Sequence, residues 1–447
     1  MNRAILAMLC LWALSCGKRA PLTTVTPMGP PSFWVWHRSS DLSAAELDSL
    51  KIAGTRRLYW HAVECEWKGG DWQAVRIAKP MQPIAGIQII PVFRIKPNPE
   101  FLASPAAVKS FRLLFERWAD ENSFDELQLD FDCPDRMLDG YGKFLQNLGG
   151  EIEPVRISIT ALAGWPRHPG FEKLARSVSA MAPMFYDLFP DSPGDVMKRK
   201  FQALADVKSK ELIHEWAKCP VPWLAGLPNF ERISVFTGDG KLSGHLRGWS
   251  QDGLFFNPSL QPVPLENGVT FYQLDKPVTL YGTSIAVGSS VVHRMPEPAV
   301  LAALAQAAKE AGAAGLVYFT LPGPGIQAAF SAGHLAGKSI STLSLTAYRD
   351  GSVVLKNEGP GDLPSNPLRW NLVMEADHAG TFRSAAPGDF ASTLSEGPAE
   401  LVTRIVLQFS KLPAGGSISS GRLIVLPGAV RWSVPGTEEN PRSLEIQ

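Results

Sequence analysis

The segment Asp125-Glu126-Leu127-Gln128-Leu129-Asp130-Phe131-Asp132 alternates polar and apolar side chains. In an extended strand this places Gln128, Asp130 and Asp132 on one face and Leu127, Leu129 and Phe131 on the other. Two carboxylates one strand period apart repel. The repulsion can hold one protonated, as an acid, near neutral pH while the other stays ionised. A second group, Met184-Phe185-Tyr186-Asp187, adds a phenol and a further carboxylate. Asp132, Asp130, Asp187 and Tyr186 are therefore the candidate catalytic residues, able to supply acid, base and charge-stabilising groups. The plainer alternative for the pair is a loop-capping Asp beside a solvated one.

Such groups converge only if the fold brings strand ends together. Eight short apolar or β-branched runs recur at residues 33–37, 57–63, 87–94, 127–132, 155–161, 182–188, 221–227 and 315–321. Between them, residues 43–53, 105–120, 138–148, 171–181, 195–218 and 297–313 show helical spacing of apolar positions. Eight strands alternating with helices imply an α/β fold, a (β/α)8 TIM-type barrel spanning residues 32–338. A β-rich insertion at 234–296 follows the seventh strand, and residues 339–447 alternate in β fashion as a C-terminal β-sandwich, with a hairpin signal at Arg349-Asp350-Gly351-Ser352. No Gly-rich phosphate loop supports an open nucleotide-binding sheet.

Barrel active sites form at the C-terminal strand ends. The polar and aromatic residues there give the candidate substrate-binding set of Gln128, Trp36, His37, Trp60, His61, Glu64, Arg94 and Tyr318. The tryptophans suit either sugar stacking or core packing. His37 and His61 lack the close spacing of a metal motif and read as hydrogen-bonded pocket histidines, so neither a metal nor a cofactor is expected.

Lys+Arg and Asp+Glu both number 43, which excludes a basic nucleic-acid binder and an acidic tail protein. Residues 1–15 carry Arg3 and then an apolar run too short to span a bilayer, and read as a signal peptide. Ala13-Leu14-Ser15-Cys16 resembles a lipobox, with Leu14 one place later than usual. Lipidation of Cys16 would anchor the chain to a bacterial cell envelope, facing the periplasm or the outer membrane, through a tether at 16–31; ordinary cleavage and secretion is the alternative. Cys65, Cys133 and Cys219 remain, allowing either a Cys65–Cys133 bridge or three buried thiols.

The two polar clusters resemble those of family 18 chitinases, whose fourth strand carries Asp-x-x-Asp-x-Asp-x-Glu and whose sixth carries Met-x-Tyr-Asp. Asp125, Gln128, Asp130 and Asp132 occupy the first set of positions, and Met184, Tyr186 and Asp187 match the second. Gln128 stands where that family has Asp, and Asp132 where it has the acid Glu, one methylene shorter. The runs at 33–38, 127–134 and 184–188 more closely resemble the bacterial family of unknown function numbered 3142, grouped with barrel glycosidases. The resemblance implies a barrel glycoside hydrolase acting on a polysaccharide or amino-sugar glycan, with Asp132 as general acid. The alternative is a non-catalytic glycan-binding lipoprotein with a degenerate barrel site.

Overall fold

The computed structural model describes residues 29–447 apart from positions 37, 39–40, 79–81, 121, 275, 324–326, 339–341, 383–386, 397–401, 424–428, 438–441 and 447. The signal segment, Cys16 and His37 lie outside the described residues.

The chain begins with β1 (Ser32–Val35), β2 (Arg57–Lys68), β3 (Asp71–Ile77), β4 (Gln88–Ile95), β5 (Glu126–Asp130), β6 (Arg156–Leu162), β7 (Ala180–Met184) and β8 (Leu224–Pro228). Next come β9 (Arg232–Phe236), β10 (Leu242–His245), β11 (Gln261–Pro264), β12 (Val269–Gln273), β13 (Val278–Leu280), β14 (Thr283–Ile285) and β15 (Ser290–Arg294), and then β16 (Gly315–Phe319). Strands β1, β2, β4, β5, β6, β7, β8 and β16 pair in parallel in that order, and β16 returns to β1 to close the eight-stranded barrel expected from the sequence. The element that the sequence reading missed is β3, an antiparallel partner of β2. Its turn is Gly69-Gly70, with φ of +63° and +83°, a pair of conformations that two glycines adopt without strain. This hairpin lays Trp72 against the helix Ala106–Ala119, where its indole donates to the Ala107 carbonyl at 2.9 Å.

Helices cover the barrel with the periodic faces read from the sequence. Ala106–Ala119 buries Phe111, Leu114, Phe115 and Trp118, and Leu138–Glu151 buries Tyr141, Phe144, Leu145 and Leu148. Each such side chain contributes about 1.5–3 kcal/mol of transfer free energy. Ala44–Ala53 starts at a capping box of Ser43 with Glu46 and stops at Gly54, whose φ is +69°.

Two expected helices are shorter. The stretch 171–181 is helical only over Phe171–Ala175, because Ser179 N–H instead pairs with the Ile157 carbonyl and leads into β7. The stretch 195–218 breaks into Pro193–Met197 and Lys210–Glu215 with short 3-10 turns. Between them Asp191 and Arg294 capture the backbone of Gln202, which removes it from a helical ladder.

The insertion after β8 is an antiparallel sheet ordered β10-β9-β15-β12-β11, with β13 and β14 as a separate hairpin. The C-terminal region is a sandwich, in which Leu343–Ala347 and Val353–Asn357 lie in one sheet and Trp370–Ala376 and Arg404–Phe409 in the other, around a shared apolar core. The expected hairpin at 349–352 joins the first two of these strands.

Barrel, insertion and sandwich meet at Glu231, whose side chain is fully buried just beyond β8. Its carboxylate accepts from His293 Nε2 at 2.8 Å, from Ser365 Oγ at 2.6 Å and from Gln251 Nε2 at 3.1 Å. The Cys65–Cys133 bridge does not form. Both are free thiols buried in the layer between barrel and helices, and Cys219 is a third thiol, half-buried.

Candidate functional site

An open cleft of about 710 Å³ lies at the C-terminal ends of the barrel strands. Trp34 lies across its floor, the indole donating to Gln128 Oε1 at 2.7 Å. The ring has room because position 226 is glycine. A Cβ there would come within 2.9 Å of the Trp34 ring and 2.8 Å of the Pro183 carbonyl oxygen. Trp36 and Phe319 form aromatic walls, packed edge to face with ring centroids 5.7 Å apart.

The alternation along β5 is as the sequence implies, with Gln128 and Asp130 turned inward and Leu127, Leu129 and Phe131 buried against helices. Asp130 is the last residue of that strand. Its Oδ1 accepts from Thr160 Oγ1 at 2.7 Å, and its Oδ2 lies 3.9 Å from Arg94 Nε. Burial pushes its carboxyl from an ordinary 3.8 up to about 6; the Thr160 hydrogen bond and the Arg94 charge oppose the rise and the Asp132 charge adds to it. Asp132 lies two residues past the strand end, exposed in the cleft, and makes no hydrogen bond or ion pair with a described residue. The inner carboxyl is thus held in its neutral form at mildly acidic pH, while the outer one faces any bound molecule.

Tyr186 and Asp187 follow the end of β7. The Tyr186 ring stacks on Phe319, 6.0 Å between centroids and 19° between planes. Burial, with the charges of Asp130, Asp187 and Asp132, lifts its phenol well above 10, so the hydroxyl stays a donor. Asp187, at φ +52°, lines the same cleft, but both its oxygens are taken by Arg232 of the insertion, at 2.6 and 2.7 Å. The fork-to-fork geometry of that pair engages one lone pair on each carboxylate oxygen and holds the group towards the insertion.

Of the candidate residues, Asp130, Asp132, Tyr186, Asp187, Arg94 and Trp36 line the cleft. His61 stacks beneath Trp36 at 4.3 Å, and Gln128 lies under the floor. Trp60 and Tyr318 are corrections: both point outward into the layer between barrel and helices. Strand alternation explains this, since their neighbours Tyr59, Val317 and Phe319 belong to the inward-facing cluster. Glu64 is half-buried and does not line the cleft. Thr160, Phe319, Trp34 and Arg232 were not among the candidates. Parity would have selected Phe319 over Tyr318, whereas Thr160 reaches Asp130 from the neighbouring strand β6 and Arg232 reaches Asp187 from β9 of the insertion.

A closed (β/α)8 barrel with a carboxylate-lined cleft at its C-terminal rim is the class that fold and site define. No family model matches the chain, and no curated protein matches it. Solved structures similar to it include a chitinase from Bacillus thuringiensis, at 10% identity and a TM-score of 0.46, covering 90% of this chain and 100% of that one. The spore cortex-lytic enzyme SleL of Bacillus megaterium aligns at 12% identity and a TM-score of 0.43, covering 65% and 70%. The group IV chitinase of Ostrinia furnacalis, solved in complex with allosamidin, aligns at 12% identity and 0.43, covering 66% and 92%. At these scores the assignment of the site rests on the cleft's own residues.

Proposed function

We propose that the cleft hydrolyses a glycosidic bond in a polysaccharide or amino-sugar glycan. The observation that carries this reading is the division between Asp130, buried with a raised pKa, and Asp132, exposed above it in the same aromatic-walled cleft. Asp132 gives its proton to the leaving oxygen as the glycosidic C–O bond breaks. A water supplies the hydroxyl to the anomeric carbon and releases its proton to solvent, which reprotonates Asp132. Asp130 tunes and orients Asp132, and the Tyr186 hydroxyl donates to the reacting sugar. Trp36 and Phe319 give the cleft an apolar aromatic wall against which a pyranose ring can pack. The test is mass-spectrometric detection of products from a panel of polysaccharides, with Asp132→Asn as control. Products that vanish in the variant are expected; products unchanged by it would remove Asp132 from the reaction.

The Arg232–Asp187 pair favours a second reading, a glycan-binding protein without turnover, because it withholds a second carboxylate from the substrate. Binding of a glycan with no product from any substrate would select it.

Either activity is proposed at a bacterial cell envelope, held there by lipid on Cys16, a reading supported by Arg3, the apolar run after it and the lipobox-like Ala13-Leu14-Ser15-Cys16. Cys16→Ala is expected to shift the protein from the membrane fraction to the soluble fraction after cell breakage. An unchanged distribution would argue against the anchor.

A further inference from the structure

Two described guanidinium groups line the cleft, and they differ in what they hold. Arg167 is paired with Glu215, which accepts from its Nε and Nη2 at 2.8, 2.9 and 3.0 Å. Arg94 has only the 3.9 Å approach of its Nε to Asp130, beyond hydrogen-bond length. Its terminal amino groups make no hydrogen bond or ion pair with a described residue, and its side chain is 42% exposed. Glu64, its neighbour in register on β2, forms no ion pair with it. Other cleft carboxylates are engaged elsewhere, Asp187 by Arg232 and Asp135 by His168 at 3.0 Å. Asp132 makes no ion pair with a described residue. When Asp130 carries its proton, below about pH 6, it no longer offsets the Arg94 charge.

An unsaturated fork based on a barrel strand suits a planar carboxylate able to take two parallel N–H bonds. We infer that the glycan bound here is acidic, and that the Nη1 and Nη2 groups of Arg94 receive a sugar carboxylate. The inference takes two sources of that group, a uronic acid, whose carboxylate is attached to a ring carbon, and a muramic acid, whose carboxylate lies on its lactyl ether. The inference rests on the glycan reading of the cleft and adds the charge of the sugar; it does not depend on bond cleavage.

The test is equilibrium binding of the full chain, in detergent, to hexuronate oligomers and to muramic-acid-containing oligomers, each beside its carboxyl-reduced counterpart. The series is repeated with Arg94→Gln and Arg94→Lys. One acidic series is expected to bind roughly 10–100-fold tighter than its reduced form, the span of one charge-assisted, two-pronged contact. Arg94→Gln should bring that ratio to within about 2-fold, and Arg94→Lys should restore part of it as a single-point cation. Whichever series shows the preference identifies the source of the carboxylate. No binding of either series, equal binding of acidic and reduced forms, or a preference that survives in a folded Arg94→Gln protein overturns the inference. An acidic preference without products from any glycan would remove hydrolysis and leave this inference standing. Equal cleavage of acidic and reduced oligomers, bound equally, would do the reverse.

Discussion

Asp132→Asn and Asp130→Asn are each expected to lower glycan turnover by about 10²–10⁴-fold, the usual share of one positioned proton-transferring group. They should part company in stability. The Asp130 carboxyl titrates near 6 in the folded protein against an ordinary 3.8, so the folded state favours its neutral form. The stabilisation linked to that proton is fully present below 3.8 and is lost as pH rises through about 6. At pH 7–8 the parent therefore holds a buried charge at a cost of roughly 2–3 kcal/mol. Asn at position 130 is neutral at every pH and retains an oxygen for the Thr160 hydroxyl. Asp130→Asn should accordingly melt higher than the parent at pH 8 and lose that advantage near pH 4. In the parent, turnover that relies on this proton should decline as pH rises through about 6. Melting curves and kcat measured from pH 4 to 9 check both halves. Parental turnover in the variant, or a lower melting temperature at pH 8, would contradict this account of Asp130.

Glu231→Ala is expected to destabilise the protein by about 3–5 kcal/mol, as removal of one partner from a buried charged network does. It strands His293 of the insertion and Ser365 of the sandwich at once, both fully or nearly fully buried. The melting temperature should fall by roughly 10 °C. Glu231→Gln keeps the shape and should fall less. Burial alone would raise the Glu231 pKa. The hydrogen bond and charge of His293, with Lys411 and Ser365, instead hold it below its ordinary 4.5. That contribution is present above 4.5 and is lost as pH falls through the lower folded value, so the three-way junction should loosen in acid. A melting temperature for Glu231→Ala within 2 °C of the parent would show that the junction is held elsewhere.

The barrel was legible because burial on two sides leaves near-continuous apolar runs, such as Ile89 to Val92 in β4, and because helices such as Ala106–Ala119 keep a clean apolar stripe. The carboxylate pair was legible because strand alternation assigns faces without any tertiary knowledge. Trp60 and Tyr318 were misplaced where side-chain chemistry was weighed above that same alternation, which sends both outward. Arg232 was not legible, since its meeting with Asp187 joins residues 45 apart through the insertion. The broken helix at 195–218 was hidden for a related reason, its backbone being captured by Arg294 from β15. Gly69-Gly70, by contrast, was a readable hairpin signal between two Trp-bearing strands.

The missing methyl at position 226 ties the history of this cleft to one ring. Any side chain there meets Trp34 from one side and the Pro183 backbone carbonyl from the other, so a smaller residue at position 34 would not by itself make room at position 226. The constraint runs one way: a smaller ring at position 34 is compatible with glycine at 226, whereas a side chain at 226 is not compatible with Trp34. The rim is freer: Phe189 lines the opening at 45% exposure. Variation at position 226 is therefore limited by the packing of the barrel floor, whereas variation at Phe189 alters the mouth of the cleft at an exposed position.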